Sequence, residues 1–291
     1  RGWLLVRALE QDHLVGLEIL ALDQGPGITN IGASLRDGYS TAGSPGTGLG
    51  AIVRLSAFFD IYSQPGKGTA LLTRLWAKNE KQSSKATLPA EPLEIGAVCL
   101  AQAGEDVSGD SWAVQQGVSR CVIMVADGLG HGLEAAKASN AAVGLLSISA
   151  ALDPLALIQA AHDALHSTRG AAVAVVELDL ERSLVKFAGV GNIAGTIFTA
   201  DTSRHLASYN GTVGHEMRKI QEFTYSWSTD ALLVLHSDGL GTHWDLNAYP
   251  GLASRHPSLI AGVLYRDFNR GRDDVTVLVA KSRDWGLEIG D

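Results

Sequence analysis

Cysteine is almost missing from this 291-residue chain. Cys99 and Cys121 are the only two, each inside an apolar run and neither with a close partner. That excludes a disulfide framework, a redox dithiol pair and a thiolate zinc site, and leaves two buried free thiols in a reducing cytosol. No long block of Lys or Arg is present and the formal net charge is -8, which speaks against nucleic acid or an anionic membrane surface as partner. Long apolar runs are lacking too. The longest, residues 141–152, is interrupted by Gly144 and serines and stops at Asp153 and Pro154, well short of a membrane span. Neither a signal-peptide pattern nor an internal repeat is evident. The chain opens at Arg1, without methionine and directly in a strand-like run, so an upstream segment is expected to be absent from it. What remains is ordinary for a soluble cytoplasmic protein: 46% hydrophobic and 19% charged residues, at a length that suggests about two domains.

The most informative stretch is Cys-Val-Ile-Met-Val-Ala-Asp-Gly-Leu-Gly-His-Gly, residues 121–132, followed by an alanine-rich run. Its apolar part reads as a buried strand that delivers the Asp127 carboxylate to a sheet edge, where glycines let the backbone come close to a ligand. Three more acidic points surround it: Asp110 in Ser-Gly-Asp, Asp238 in Ser-Asp-Gly after the apolar run 231–235, and Asp273-Asp274 opening the apolar run 275–280. Oxygen ligands gathered from distant strand ends suit hard divalent cations. A single Asp-Gly after a strand is more often a turn whose Asp accepts backbone N–H bonds. Four acidic points in this order, with a long helix directly after the first Asp-Gly, favour a metal site. Asp273 and Asp274 cannot both point inward, because successive strand side chains alternate faces.

Residues 93–282 resemble the SpoIIE branch of the metal-dependent serine/threonine protein phosphatases (PPM, or type 2C), RsbX-like proteins in particular. The motifs that carry the resemblance are Val-Ser-Gly-Asp (107–110), Ala-Asp-Gly-Leu-Gly-His-Gly (126–132), Phe-Ala-Gly-Val-Gly-Asn-Ile (187–193), Ser-Asp-Gly (237–239) and Asp-Asp-Val-Thr (273–276). The resemblance implies two Mn2+ or Mg2+ ions that activate a water and stabilise charge on a phosphoryl group. In that scheme Asp127 bridges the ions, the Gly128 carbonyl binds one of them, Asp238 and Asp273 supply the other side, and Asp110 acts at the ions or just behind them. His131 either protonates the leaving serine oxygen or holds the turn by hydrogen bonding. Asn192 reads as a turn residue, and the remaining histidines show no ligand spacing that competes with the carboxylates.

The first 76 residues carry other signals. Residues 3–8 and 16–22 read as neighbouring strands, the second ending in Asp-Gln-Gly-Pro-Gly (23–27). Asp23 can sit there at a pocket mouth, while Gly25 and Gly27 keep space clear for a flat ring. Gly-Thr-Gly-Leu-Gly (46–50) opens a helix-like run over 49–59; Gly46, Gly48 and Gly50 form either an anion cradle or a plain loop-to-helix cap. Residues 61–63 and 69–76 flank Pro-Gly-Lys-Gly and read as a hairpin. This region resembles RsbT-like and other anti-sigma-type kinases of the GHKL ATPase superfamily. The resemblance implies that Asp23 recognises the adenine amino group and that the second glycine set faces the phosphates of ATP. The family's helix with the metal-binding Asn lies upstream of the first strand, so ATP binding is expected only where that helix is present.

Residues 77–92, polar and broken by Pro89 and Pro92, read as a linker. Beyond it helices are expected over 129–151, 153–167 and 257–266, with Asp153 as N-cap and Pro154 at the first helical position. Strands are expected over 171–176, 183–190, 195–198, 231–235 and 275–280. The pattern alone says α+β. The two resemblances make it an incomplete GHKL (Bergerat) α/β sandwich over 1–76 followed by a PPM-type α-β-β-α sandwich over 93–291. They imply a Mn/Mg-dependent serine/threonine protein phosphatase fused to an RsbT-like kinase module. Its implied substrate is a phosphorylated STAS-domain protein of the RsbS or anti-anti-sigma type in bacterial partner switching, with other anti-sigma components as further partners. The alternatives are a non-catalytic STAS-binding module and, at full length, a bifunctional kinase and phosphatase.

Overall fold

A computed structural model describes residues 2–11, 14–40, 45–77, 91–149 and 151–283. The first elements are β1 (Gly2–Gln11), β2 (Leu14–Asp23), α1 (Ile31–Ser34), α2 (Gly48–Leu55), β3 (Phe58–Gln64) and β4 (Gly68–Trp76). Then come β5 (Leu93–Leu100), β6 (Asp110–Gln116), β7 (Arg120–Gly128), α3 (Gly132–Ser149), α4 (Pro154–Leu165), β8 (Ala171–Asp179), β9 (Leu184–Val190) and β10 (Ala194–Phe198). The last are β11 (Ser203–Leu206), β12 (Phe223–Ser226), β13 (Leu232–His236), α5 (Pro257–Phe268) and β14 (Val275–Ser282). Of the expected linker, residues 78–90 lie outside the described residues. The chain divides into two compact units, Arg1–Leu88 with Asp245–Asp267, and Pro89–Trp244 with Phe268–Asp291.

The first unit is built on an antiparallel sheet in the order β1-β2-β4-β3. Along β2, Gly16, Glu18, Leu20 and Leu22 share one face and are all buried, as the two-residue period of a strand requires. Helix α5 packs on that face. A Cβ on Gly262 would meet Leu20 Cδ2 at 2.5 Å, so the helix approaches as closely as it does only because residue 262 has no side chain. A polar seam accompanies the contact. Buried Glu18 accepts from Arg7 at 2.7 Å, Arg74 at 2.8 Å and Ser258 at 3.2 Å, and Arg74 also meets His256 Nε2 at 2.9 Å. Asp60 accepts from the His256 backbone N–H at 2.9 Å and pairs with Arg255. These bonds explain why a stretch between β13 and β14 groups with the first unit, where the sequence suggests one continuous second domain from residue 93. The helix expected over 49–59 is also shorter. It stops at Leu55, because Phe58 and Phe59 pair with Arg74 and Thr73 as the start of β3.

The second unit holds two five-stranded antiparallel sheets, ordered β11-β10-β13-β14-β5 and β12-β9-β8-β7-β6. Strand β7 shows why its sequence is apolar throughout. Cys121, Ile123 and Val125 face the core shared with Leu233, Leu235 and Leu278, whereas Val122, Met124 and Ala126 face the core shared with α3 and α4. Each turn of the pleat is buried, so no polar alternation survives. Helix α4 starts as expected: Asp153 Oδ1 accepts from the Ala156 N–H at 2.8 Å, with Pro154 opening the helix. Helix α3 begins at Gly132 rather than 129, because Gly130 and Gly132 take positive φ and form a turn. Among the described residues, no helix is long and apolar enough to cross a membrane.

Candidate active site

Strand ends from both sheets of the second unit meet at a pocket of about 610 Å³. Strand β7 carries Asp127 to its end, in register with Asp110 on β6 and Ala172 on β8. Next to it, Gly128 is crossed by α3 so tightly that a Cβ would stand 2.0 Å from the Ala135 carbonyl oxygen. Its N–H donates to Gly109 O at 3.1 Å, which ties the Ser-Gly-Asp loop to the Asp-Gly turn. From the other sheet, Asp238 follows β13 and Asp273 precedes β14. Here Gly239 is pressed against Asp274, whose carbonyl oxygen would lie 2.0 Å from an added Cβ.

Asp127, His131, Asp238 and Asp273 line the same pocket. Asp110 is buried, 3% exposed; its Oδ2 accepts from Ser237 Oγ at 2.6 Å, while its Oδ1 is buried without a hydrogen-bond partner among the described residues. Asp273 and Asp274 lie in the bend just before β14, not in the strand itself, and they point to different places. Asp274 turns inward, its Oδ1 accepting from Gln102 N–H at 2.8 Å and its Oδ2 from Gly109 N–H at 2.9 Å, and Asp273 stays on the pocket wall.

Crowding of these carboxylates has an electrostatic signature. Burial, and then the charges of Asp110, Asp238 and Asp273, push Asp127 up to about 8. Burial pushes Asp110 up to about 6, against the opposing hydrogen bond from Ser237, and burial also raises Asp273. An all-oxygen set of mutually repelling carboxylates, with one buried oxygen left unbonded, fits hard divalent cations. Among the described residues no three Asp, Glu, His or Cys side chains close on a single point. The carboxylates stand on separate walls, so backbone and water oxygens would have to complete any ligand set.

Two residues have roles that sequence reasoning missed. Asn192 reads as a turn residue, yet its Nδ2 donates to Asp238 Oδ2 at 2.7 Å inside the pocket. Glu105 Oε1 lies 2.6 Å from His131 Nδ1. The Gly-Asn motif could have flagged the first; nothing near Glu105 in the sequence points to the second.

A family model described as Stage II sporulation protein E (SpoIIE) matches residues 117–283. The chain belongs to the SpoIIE family. Stage II sporulation protein E of Bacillus subtilis (strain 168) is 26% identical over 219 residues, 65% of this chain and 26% of that protein. The serine/threonine-protein kinase RsbT of the same organism is 43% identical over 63 residues, 22% of this chain and 47% of RsbT. The chain thus spans about half the length of RsbT and about a quarter of the SpoIIE protein. Among solved structures, RsbX in complex with magnesium aligns at a TM-score of 0.57 and 21% identity, over 65% of this chain and 95% of RsbX. That likeness establishes the fold shared by RsbX and this SpoIIE-family chain.

In the first unit, Asp23 Oδ1 accepts from Gly25 N–H at 2.7 Å, and the Pro26 carbonyl next to Gly27 accepts from Gly66 N–H at 2.8 Å in the β3–β4 turn. Gly46 O accepts from Gly38 N–H at 3.1 Å, Gly48 opens α2, and Gly50 is buried against Asp37, which pairs with Arg54. Residues 41–44, just before this second glycine set, lie outside the described residues.

Proposed function

We propose that this SpoIIE-family chain is a cytoplasmic, metal-dependent serine/threonine protein phosphatase. Its substrate is a phosphorylated STAS-domain protein of the RsbS or anti-anti-sigma type, within partner-switching signalling. The observation that supports this most is the convergence of Asp127, Asp238 and Asp273 on one pocket backed by the partnerless Asp110 oxygen. Asp127, the Gly128 carbonyl, Asp238 and Asp273 would hold two Mn2+ or Mg2+ ions, with Asp110 behind them. When bound, the ions supply Lewis acidity and a nucleophilic water at neutral pH.

The chain's own residues do the rest. Asn192 fixes the direction of the Asp238 carboxylate, and Ser237 fixes that of Asp110. Glu105 engages His131 at Nδ1, which leaves Nε2 to protonate the departing serine oxygen. Asp274 holds the Gly109 loop in place through two backbone N–H groups. The RsbT likeness supports a docking role for the first unit, and Asp23, Gly25, Gly27, Gly46, Gly48 and Gly50 would hold ATP where a helix with a metal-binding Asn precedes β1. The test is phosphate release from a phosphoserine peptide or p-nitrophenyl phosphate in Mn2+, abolished by EDTA and reduced by about 100-fold or more in Asp238→Asn. Equal activity with chelator present overturns the reading.

A further inference from the structure

Arg272 stands on the wall of the acidic pocket, one residue before Asp273. Its side chain is exposed and makes no hydrogen bond or ion pair among the described residues. It shares the pocket with Asp127, Asp238 and Asp273 and pairs with none of them. The arginines that pair with a buried glutamate, Arg7, Arg74 and Arg120, are half-buried themselves. The position of Arg272 is also built. Its loop is fastened to the Asp238 turn by Arg270 N–H to Gly239 O at 3.0 Å and Gly241 N–H to Phe268 O at 2.8 Å, and Asn269 Oδ1 accepts from Gly271 N–H at 2.8 Å. The segment that holds Asp238 in place therefore also sets where residue 272 emerges.

Three carboxylates repel a dianionic substrate, and two divalent cations would more than offset them. A cation whose backbone is anchored beside the pocket, and whose guanidinium does not neutralise the carboxylates, remains available for an anion. The planar fork of Arg, with parallel N–H donors, matches a phosphoryl group. We propose that Arg272 binds the non-bridging phosphoryl oxygens of the phosphomonoester and so sets its affinity and orientation. This rests on the phosphatase reading and deepens it.

The experiment compares wild type, Arg272→Ala and Arg272→Lys in the full chain, loaded with Mg2+ or Mn2+. Calorimetry measures binding of inorganic phosphate and, separately, of Mn2+; kinetics with p-nitrophenyl phosphate give KM and kcat. Losing a charge-assisted bidentate contact weakens phosphate binding and raises KM roughly 10- to 100-fold in Arg272→Ala, with Arg272→Lys recovering only part and Mn2+ affinity little changed. Equal phosphate affinity and KM in wild type and Arg272→Ala overturn the proposal, leaving the phosphatase reading intact. Arg272-dependent phosphate binding without turnover by wild type supports the proposal and overturns that reading. A wild type that neither binds phosphate nor turns over overturns both.

Discussion

Asp127 should destabilise the metal-free protein, which makes Asp127→Asn a sharp test of the site. Its carboxyl is pushed up from 3.8 to about 8 by burial and neighbouring carboxylates. The sign follows from which state ionises first. Well below pH 3.8 Asp127 is protonated whether folded or unfolded and contributes nothing. As pH rises the unfolded chain ionises first, so folding loses stability progressively, and the full penalty stands above about pH 8. About four units at about 1.4 kcal/mol each set a ceiling of about 6 kcal/mol. Because the carboxylates titrate together and water reaches the pocket, about 2 kcal/mol is expected. Asparagine keeps the shape and removes the charge. In EDTA at pH 8.5 the variant should melt above wild type by about 4–8 °C, and at pH 5 the gap should shrink to less than half. Mn2+ should reverse the order, since at 100 Kd an ion stabilises wild type by about 2.7 kcal/mol and the variant by little. Differential scanning fluorimetry at both pH values, with and without Mn2+, reads all four cases. A metal-free variant that melts below wild type at pH 8.5 would show that Asp127 is a structural acceptor, and would refute the reasoning.

Neighbouring residues should separate structure from ligation. Asp274→Ala leaves the Gln102 and Gly109 N–H groups without their acceptor and should cost about 3 kcal/mol in denaturant unfolding; Asp273→Ala should cost little stability but weaken Mn2+ binding by calorimetry. The reverse pattern would exchange their roles. Glu18→Ala strips the buried seam of its acceptor for Arg7, Arg74 and Ser258 and should lower stability by about 3 kcal/mol. An unchanged melting curve would show that the seam contributes nothing net.

Much of the second unit was legible because its signals are local. The run from Cys121 to Ala126 is apolar on both faces, Asp153-Pro154 is a helix start, and acidic residues fall at strand ends. The edge strands β11 and β12 were not legible: each is four residues long, with mostly exposed or half-exposed side chains, so no apolar pattern marks them. Phe58 and Phe59 looked like a helix end because only pairing with β4 makes them strand. Asn192 and Glu105 could not be placed because their partners lie 46 and 26 residues away. The grouping of α5 with the first unit was hidden for the same reason. It depends on Glu18, Asp60 and Arg74 meeting residues from 255 to 258.

That grouping bears on how such a chain can be divided. A cut between residues 77 and 91 would sever the backbone once, yet the first piece would lack the helix that covers its sheet, and the second would carry that helix without the sheet it covers. The two pieces would be a complementation pair rather than two free domains. They would reassociate through Leu20, Leu22 and the Glu18 seam against α5. A gene fusion joined only at the linker would therefore become, through α5, a joining of folded structure. Recombination that exchanged the first unit would have to respect the surface of a helix encoded nearly two hundred codons downstream.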